Sequence, residues 1–220
     1  GGGYVAYKAV NRVVVHITPS AGTVVRAGDT LQINIQTTGS KTILGVKVSP
    51  PPKGSFLGIL EGSGPFSYSY KIPKNFMGKL DISAEVVVAE GESYFGTTFV
   101  MVQPIAPIVS IKTQIWNETT LALTPLRYGP NIGLQVYAQL ENGDEINVTS
   151  SDTGTLYSLL GGGTVVNAVG PNGLAGPILA GNVISVSPNG WVEAIGVGQD
   201  TVIISNSGKS TAIIVNVVQE

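Results

Sequence analysis

The chain contains no cysteine. Disulfides, thiolate metal sites and thiol nucleophiles are therefore excluded, and any core must hold without cross-links. Charge is scarce too. Asp, Glu, Lys and Arg make up 12% of the 220 residues, about half the usual share. The one histidine, His16, sits in the apolar run Val13-Val14-Val15-His16-Ile17, which suits the outward face of an edge strand. A Ser-His-Asp triad would have to use that imidazole, and no Gly-x-Ser-x-Gly elbow supplies a nucleophile. Zinc would need several carboxylates beside it, and none is spaced to help. No apolar stretch approaches the ~20 residues of a membrane span. The start Gly1-Gly2-Gly3 has neither Met nor a signal-like apolar core, and it reads as a mature or trimmed chain whose export signal, if any, was removed.

What remains is turn-rich and β-branched. Glycine (29) and proline (13) punctuate a chain that is 43% hydrophobic, as expected of short strands joined by tight turns. Alternating or β-branched runs occur at Val13–Ile17, Leu31–Gln36, Ile43–Val48, Phe66–Ile72, Leu80–Val88 and Thr97–Val102. In Leu31-Gln32-Ile33-Asn34-Ile35-Gln36 the alternation is unbroken, so one face meets a core and the other meets water. Sustained helical periodicity is absent. The pattern breaks at Gln103-Pro104-Ile105-Ala106-Pro107, where two prolines force an extended segment without ladder donors, as in interdomain linkers. A second series follows at Val109–Ile115, Gly133–Leu140, Thr155–Leu159, Val183–Val186, Trp191–Ile195, Thr201–Ser205 and Ala212–Val218. Six or seven short strands per half is the count of an immunoglobulin-like sandwich. The expected architecture is all-β, two tandem immunoglobulin-like β-sandwich domains: 1–103, a linker at 104–107, and 108–220.

The net charge of −2 divides unevenly. Through Gln103 there are nine basic and six acidic residues, and beyond it three and eight. Neither half has the clustered basic stripe that counterion release from nucleic acid requires, so no nucleic-acid partner is expected. The difference reads as a change of composition between domains.

Residues Val136-Tyr137-Ala138-Gln139-Leu140-Glu141-Asn142-Gly143 and Ile146-Asn147-Val148-Thr149 form a strand, a glycine turn and a short segment ending in Thr. The run Ile184-Ser185-Val186-Ser187-Pro188-Asn189-Gly190-Trp191-Val192-Glu193-Ala194-Ile195-Gly196-Val197-Gly198 continues through Asp200-Thr201-Val202-Ile203-Ile204. Together with the closing strand Ala212–Val218, these residues resemble the bacterial immunoglobulin-like domain of group 2, the module repeated in intimin- and invasin-type surface proteins. The N-terminal half resembles bacterial Ig-like repeats more generally, through Thr18-Pro19-Ser20-Ala21-Gly22-Thr23 and Gly64-Pro65-Phe66-Ser67-Tyr68. The resemblance implies a non-catalytic structural or interaction role, adhesin-like or spacer, in a larger bacterial cell-surface or secreted protein. It implies an extracellular or cell-envelope location, and a protein or glycan partner that the residues do not name. The alternative is an accessory carbohydrate- or cell-wall-binding module of a secreted enzyme.

Within that motif run, Asn189-Gly190 reads as a type I′ hairpin turn. The chain departs from the family at Leu159–Asn182, a glycine-rich, uncharged stretch where the family has only a few residues. An extra hairpin is expected there, Thr164–Val169 turning at Pro171-Asn172-Gly173, and its apolar surface would be costly to leave in water.

Candidates for chemistry are few, and no cofactor is expected. Glu85, Glu90 and Glu92 surround Gly91, while Glu141, Asp144 and Glu145 surround Gly143; acids beside hairpin glycines are usually solvated. Calcium would take oxygens from Asn142, Asp144, Glu145 and Asp152, but no Asp-x-Asp-x-Asp pattern organises them. Trp116 and Trp191 are the candidate ligand-binding residues, by sugar stacking. Two isolated tryptophans are more often packing residues.

Overall fold

The computed structural model describes residues 13–123, 130–169 and 175–220. The chain divides into two compact units between Ile105 and Ala106.

The first unit holds β1 (Val14–Thr18), β2 (Thr23–Arg26), β3 (Thr30–Thr38), β4 (Ile43–Ser49), β5 (Ile59–Glu61), β6 (Phe66–Lys71), β7 (Gly78–Val88) and β8 (Ser93–Gln103). They form two sheets, β1-β3-β6 and β2-β8-β7-β4-β5. Strand β3 explains the arrangement: Leu31, Ile33 and Ile35 are buried while Gln32, Asn34 and Gln36 face outward. The inner face meets Val46, Ile82, Val86 and Val100, each buried to within 1% of full coverage. On the outer face, Gln32 Nε2 donates to Ser67 Oγ, which donates to Asn34 Oδ1, each at 2.7 Å. After pairing with β3, the chain crosses at Pro19–Gly22 to the other sheet, where β2 runs parallel to β8.

The second unit repeats this plan with additions. Its strands are β9 (Ile108–Thr113), β10 (Glu118–Leu123), β11 (Asn131–Gly133), β12 (Val136–Leu140), β13 (Glu145–Asn147), β14 (Leu156–Leu159), β15 (Thr164–Val169), β16 (Ala175–Ala180), β17 (Ile184–Val186), β18 (Trp191–Ala194), β19 (Gly198–Asn206) and β20 (Lys209–Gln219). One layer is β10-β20-β19-β14; the other consists of β13-β12-β9 and β11-β18-β17-β16-β15. Only Leu134-Gln135 separates β11 from β12, so those two sheets meet along one stretch of chain. The first strand again switches sheets: β9 pairs with β12, then β10 runs parallel to β20. Val136, Val192, Val202, Ile204 and Ile213 are fully buried. Two sheets face to face with this strand order make each unit an immunoglobulin-like β-sandwich.

One turn differs in kind from the sequence reading. At Asn189-Gly190 the turn runs from Ser187 to Gly190, closed by Gly190 N–H donating to Ser187 C=O at 3.0 Å. Only Gly190 has positive φ, at 80°. Pro188 accounts for the shift: it has no N–H to donate from the first position of an Asn189-Gly190 I′ turn, and its fixed negative φ suits the second position of a type I turn closed by a glycine bulge. The I′ geometry falls at Ser207-Gly208 instead, with φ of 51° and 76°. The expected turn Pro171-Asn172-Gly173 lies outside the described residues.

Tyr68 is buried, and its hydroxyl donates to the Pro50 carbonyl at 2.7 Å. Burial, reinforced by the neighbouring Tyr70, pushes its phenol up from 10.0 to about 12. The folded chain therefore keeps a proton that the unfolded chain gives up first, so this contribution is intact below pH 10 and is lost as pH rises to about 12. Chemical denaturation from pH 9 upward should show stability falling in that window, with a shallower fall in Tyr68→Phe. An unchanged slope would refute the coupling. Tyr157, also raised by burial, supplies part of the remaining slope.

Candidate functional site

The region that departs from a plain sandwich is the segment after β14. Strands β15 and β16 form an antiparallel hairpin, with Thr164 opposite Ala180 and Val169 opposite Ala175. Leu179 of β16 pairs with Val186 of β17, so the hairpin extends its sheet by two strands. β15 is the outer edge, and all six of its residues are exposed. Val165 is 70% exposed and Val169 55%. The strand has no charge and no proline, which are the features that commonly blunt a sheet edge.

Backbone contact at the root fixes the hairpin. Asp200 is buried, and its Oδ1 accepts from Gly161 N–H at 2.9 Å and Thr201 N–H at 2.7 Å. A Cβ on Gly163 would lie 2.8 Å from the Ala180 carbonyl oxygen, and one on Gly181 would lie 3.1 Å from that of Gly162. Glycine is required at position 163, where the two segments approach more closely than a side chain allows, and the fit at Gly181 is tight.

On the inner side of the hairpin, where the sheet outreaches β14, lies a trough of about 290 Å³. Val165, Leu179, Val186, Leu156 and Tyr157 line it. Leu156 is 68% exposed, while the Tyr157 hydroxyl is turned inward and donates to the Thr149 carbonyl. The wall is apolar, with one free strand edge on each side, β14 and β15. An extended apolar segment matches that shape.

In the first unit, a groove of about 690 Å³ crosses the outer face of β4, β5 and β7. The register of β4 on β7 shifts between Ile43 and Gly45, and Gly45 lies where a Cβ would be 2.9 Å from the Leu60 carbonyl oxygen. Lys47, Glu61 and Glu85 mix both signs of charge along it, which offers polar contact without a reactive arrangement.

The two tryptophans occupy unlike positions. Trp191, opposite Gly133 across β18 and β11, lays its indole over that glycine, within 3.3–3.4 Å of where a Cβ would stand. One ring face is thereby covered by backbone. Trp116 is 86% exposed, at the corner where the chain passes from β9 to β10. His16 is exposed on the edge strand β1.

Three of the turn acids, Glu92, Asp144 and Glu145, are paired within their own neighbourhoods. Hydrogen bonding from Tyr94, and then Lys41, holds the Glu92 carboxyl below its ordinary range. Lys112 at 2.9 Å and Gln139 do the same for Glu145. Asn142 and Asp144 bond each other across their turn. Among the described residues, no group of three or more His, Asp or Glu could hold a metal ion, and no helix is long and apolar enough to cross a membrane.

No family model and no curated protein matches the chain. Among solved structures, it is similar to the fibronectin(III)-like modules of Clostridium thermocellum CbhA, with TM-score 0.36 and 14% identity over 94% of this chain and 95% of that one. The adhesin InvE of Yersinia pseudotuberculosis gives TM-score 0.37 and 14% identity, over 93% of this chain and 58% of that one. Domains 4 and 5 of the S-layer protein SbsC give 0.32 and 17%, over 62% and 65%. These likenesses concern the fold alone.

Two outcomes follow from this geometry. Asp200→Ala removes the buried acceptor of the Gly161 and Thr201 amides and should destabilise the second unit by about 1–3 kcal/mol in urea unfolding. Trp191→Ala should cost about 1–3 kcal/mol, whereas Trp116→Ala should stay within about 0.5 kcal/mol. Equal effects of the two tryptophan substitutions would contradict the packing described.

Proposed function

We propose that this chain is a non-catalytic interaction module of a bacterial cell-surface or secreted protein, its second unit belonging with the group 2 immunoglobulin-like domains. It holds a polypeptide partner by strand addition at β15. The observation that carries this reading is the β15 edge: six exposed, uncharged residues on a hairpin that outreaches the opposite sheet. Free edge amides and carbonyls give such a site its affinity, and flanking apolar pockets select alternate side chains. The trough beside Val165 and Leu179 is such a pocket. The sandwiches supply a scaffold, and no bond is made or broken.

A display library of extended peptides, selected on the full chain, tests this. Hydrogen exchange of the selected complex should show new protection at Thr164–Val169, and Val165→Asp should abolish binding while leaving stability within about 0.5 kcal/mol. Protection confined to other segments would count against the edge. The exposed indole of Trp116 favours a second reading, an accessory glycan-binding module. A glycan array with clear binding lost in Trp116→Ala supports that one.

A further inference from the structure

The sequence contains two Asn-x-Thr triplets, Asn117-Glu118-Thr119 and Asn147-Val148-Thr149, each the acceptor pattern for N-linked glycan. The fold treats them differently. At the second, Val148 is fully buried, and Asn147 Nδ2 donates to Gln135 Oε1 at 2.9 Å. Its Thr149 hydroxyl accepts from Val136 N–H at 2.9 Å. Both reacting groups are engaged, and the middle residue lies in the core.

The first triplet is at the corner where the chain leaves β9 for β10. Asn117 is exposed with φ of 63°, a conformation that asparagine tolerates better than most residues. Glu118 N–H donates to the Trp116 carbonyl at 2.7 Å, closing a three-residue turn around Asn117. Ile214 N–H donates to the Asn117 carbonyl at 2.8 Å, and Asn216 holds the Glu118 carboxylate from the side. The backbone is thus pinned to β20 while the Asn117 side chain faces solvent. Directly before it stands Trp116, 86% exposed, an indole that no packing role explains.

We infer that Asn117 is an N-glycosylation site and that Trp116 is the platform on which the first sugar of that glycan rests. The donor is a polyprenyl-phosphate-linked saccharide. Asn117 Nδ2 forms a bond to the anomeric carbon, the bond from that carbon to the phosphate oxygen breaks, the lipid phosphate leaves, and one amide proton passes to base. The Thr119 hydroxyl, two residues on, is the recognition element of the acceptor. The indole face is then covered by the chain's own glycan, which removes an apolar surface from water.

This inference rests on the extracellular reading, and the test separates the two. The full chain is secreted from a host whose transferase occupies an acceptor tag fused to its C-terminus, so exposure to the transferase is imposed whatever the native location. Cell fractionation of the producing organism tests that location on its own. Peptide mass mapping should find saccharide on Asn117 and none on Asn147. The adduct should be lost in Asn117→Gln and Thr119→Ala and kept in Thr119→Ser. Amidase release should leave aspartate at position 117. An empty Asn117 on chains with an occupied tag overturns the site, as does glycan at Asn147 alone. In a Trp191→Phe background, acrylamide quenching of Trp116 should fall with the glycan attached and recover on its removal. Unchanged quenching overturns the role given to Trp116.

Discussion

Apolar contact between the two inner sheet faces is the interaction on which the rest of each unit depends. No disulfide joins the sheets, and with so few charges the surface adds little ion pairing of consequence. Fully burying a single Ile or Val is worth roughly 1.5–3 kcal/mol, and Ile33, Val86, Ile204 and Ile213 are each completely enclosed. That contact demands a two-residue period in every core strand. Polar residues are thereby sent to the outer face, where the Gln32, Asn34 and Ser67 ladder forms. Loops and corners are left free to vary.

The second unit shows what happens when one layer outgrows the other. The hairpin continues the sheet beyond β14, so its inner face has no opposing layer to meet. A sheet extended in this way would swing loosely without an anchor. The anchor is a polar one, the buried Asp200 holding Gly161, set among glycines where backbones nearly touch. A rigid root and an unpaired edge make a stiff projecting blade rather than a flexible loop.

The parts of this fold that depend on neighbours along the chain were legible in the sequence. Leu31–Gln36 alternates, and the strand forms with the expected burial. Thr164–Val169 reads as half of a hairpin, and it is one. Features fixed by distant partners were not legible. Strands β2 and β10 exist because the last strand of each unit offers them a parallel edge, a cue absent from Thr23–Arg26 or Glu118–Leu123 themselves. Asp200 gives no sign in sequence that its partner is Gly161, and Gly133 gives none that an indole will cover it. The turn at Ser187–Trp191 was decipherable, since Pro188 has no N–H to close an Asn189-Gly190 I′ turn. Of the candidate site, the uncharged segment stood out, but its exposure along the whole of β15 follows from the short reach of β14.

The parallel pairing of the second strand of each unit with its last has a mechanical meaning. Strands β10 and β20 lie side by side with Glu118 opposite Ile214 and Leu123 opposite Gln219. A pull on the two ends of this unit draws them in opposite directions along their common axis. The rungs between them then resist together instead of opening one after another from an end. The first unit has the same arrangement in β2 and β8. Each sandwich thus carries a shear clamp one strand in from the end at which tension along the chain would enter it.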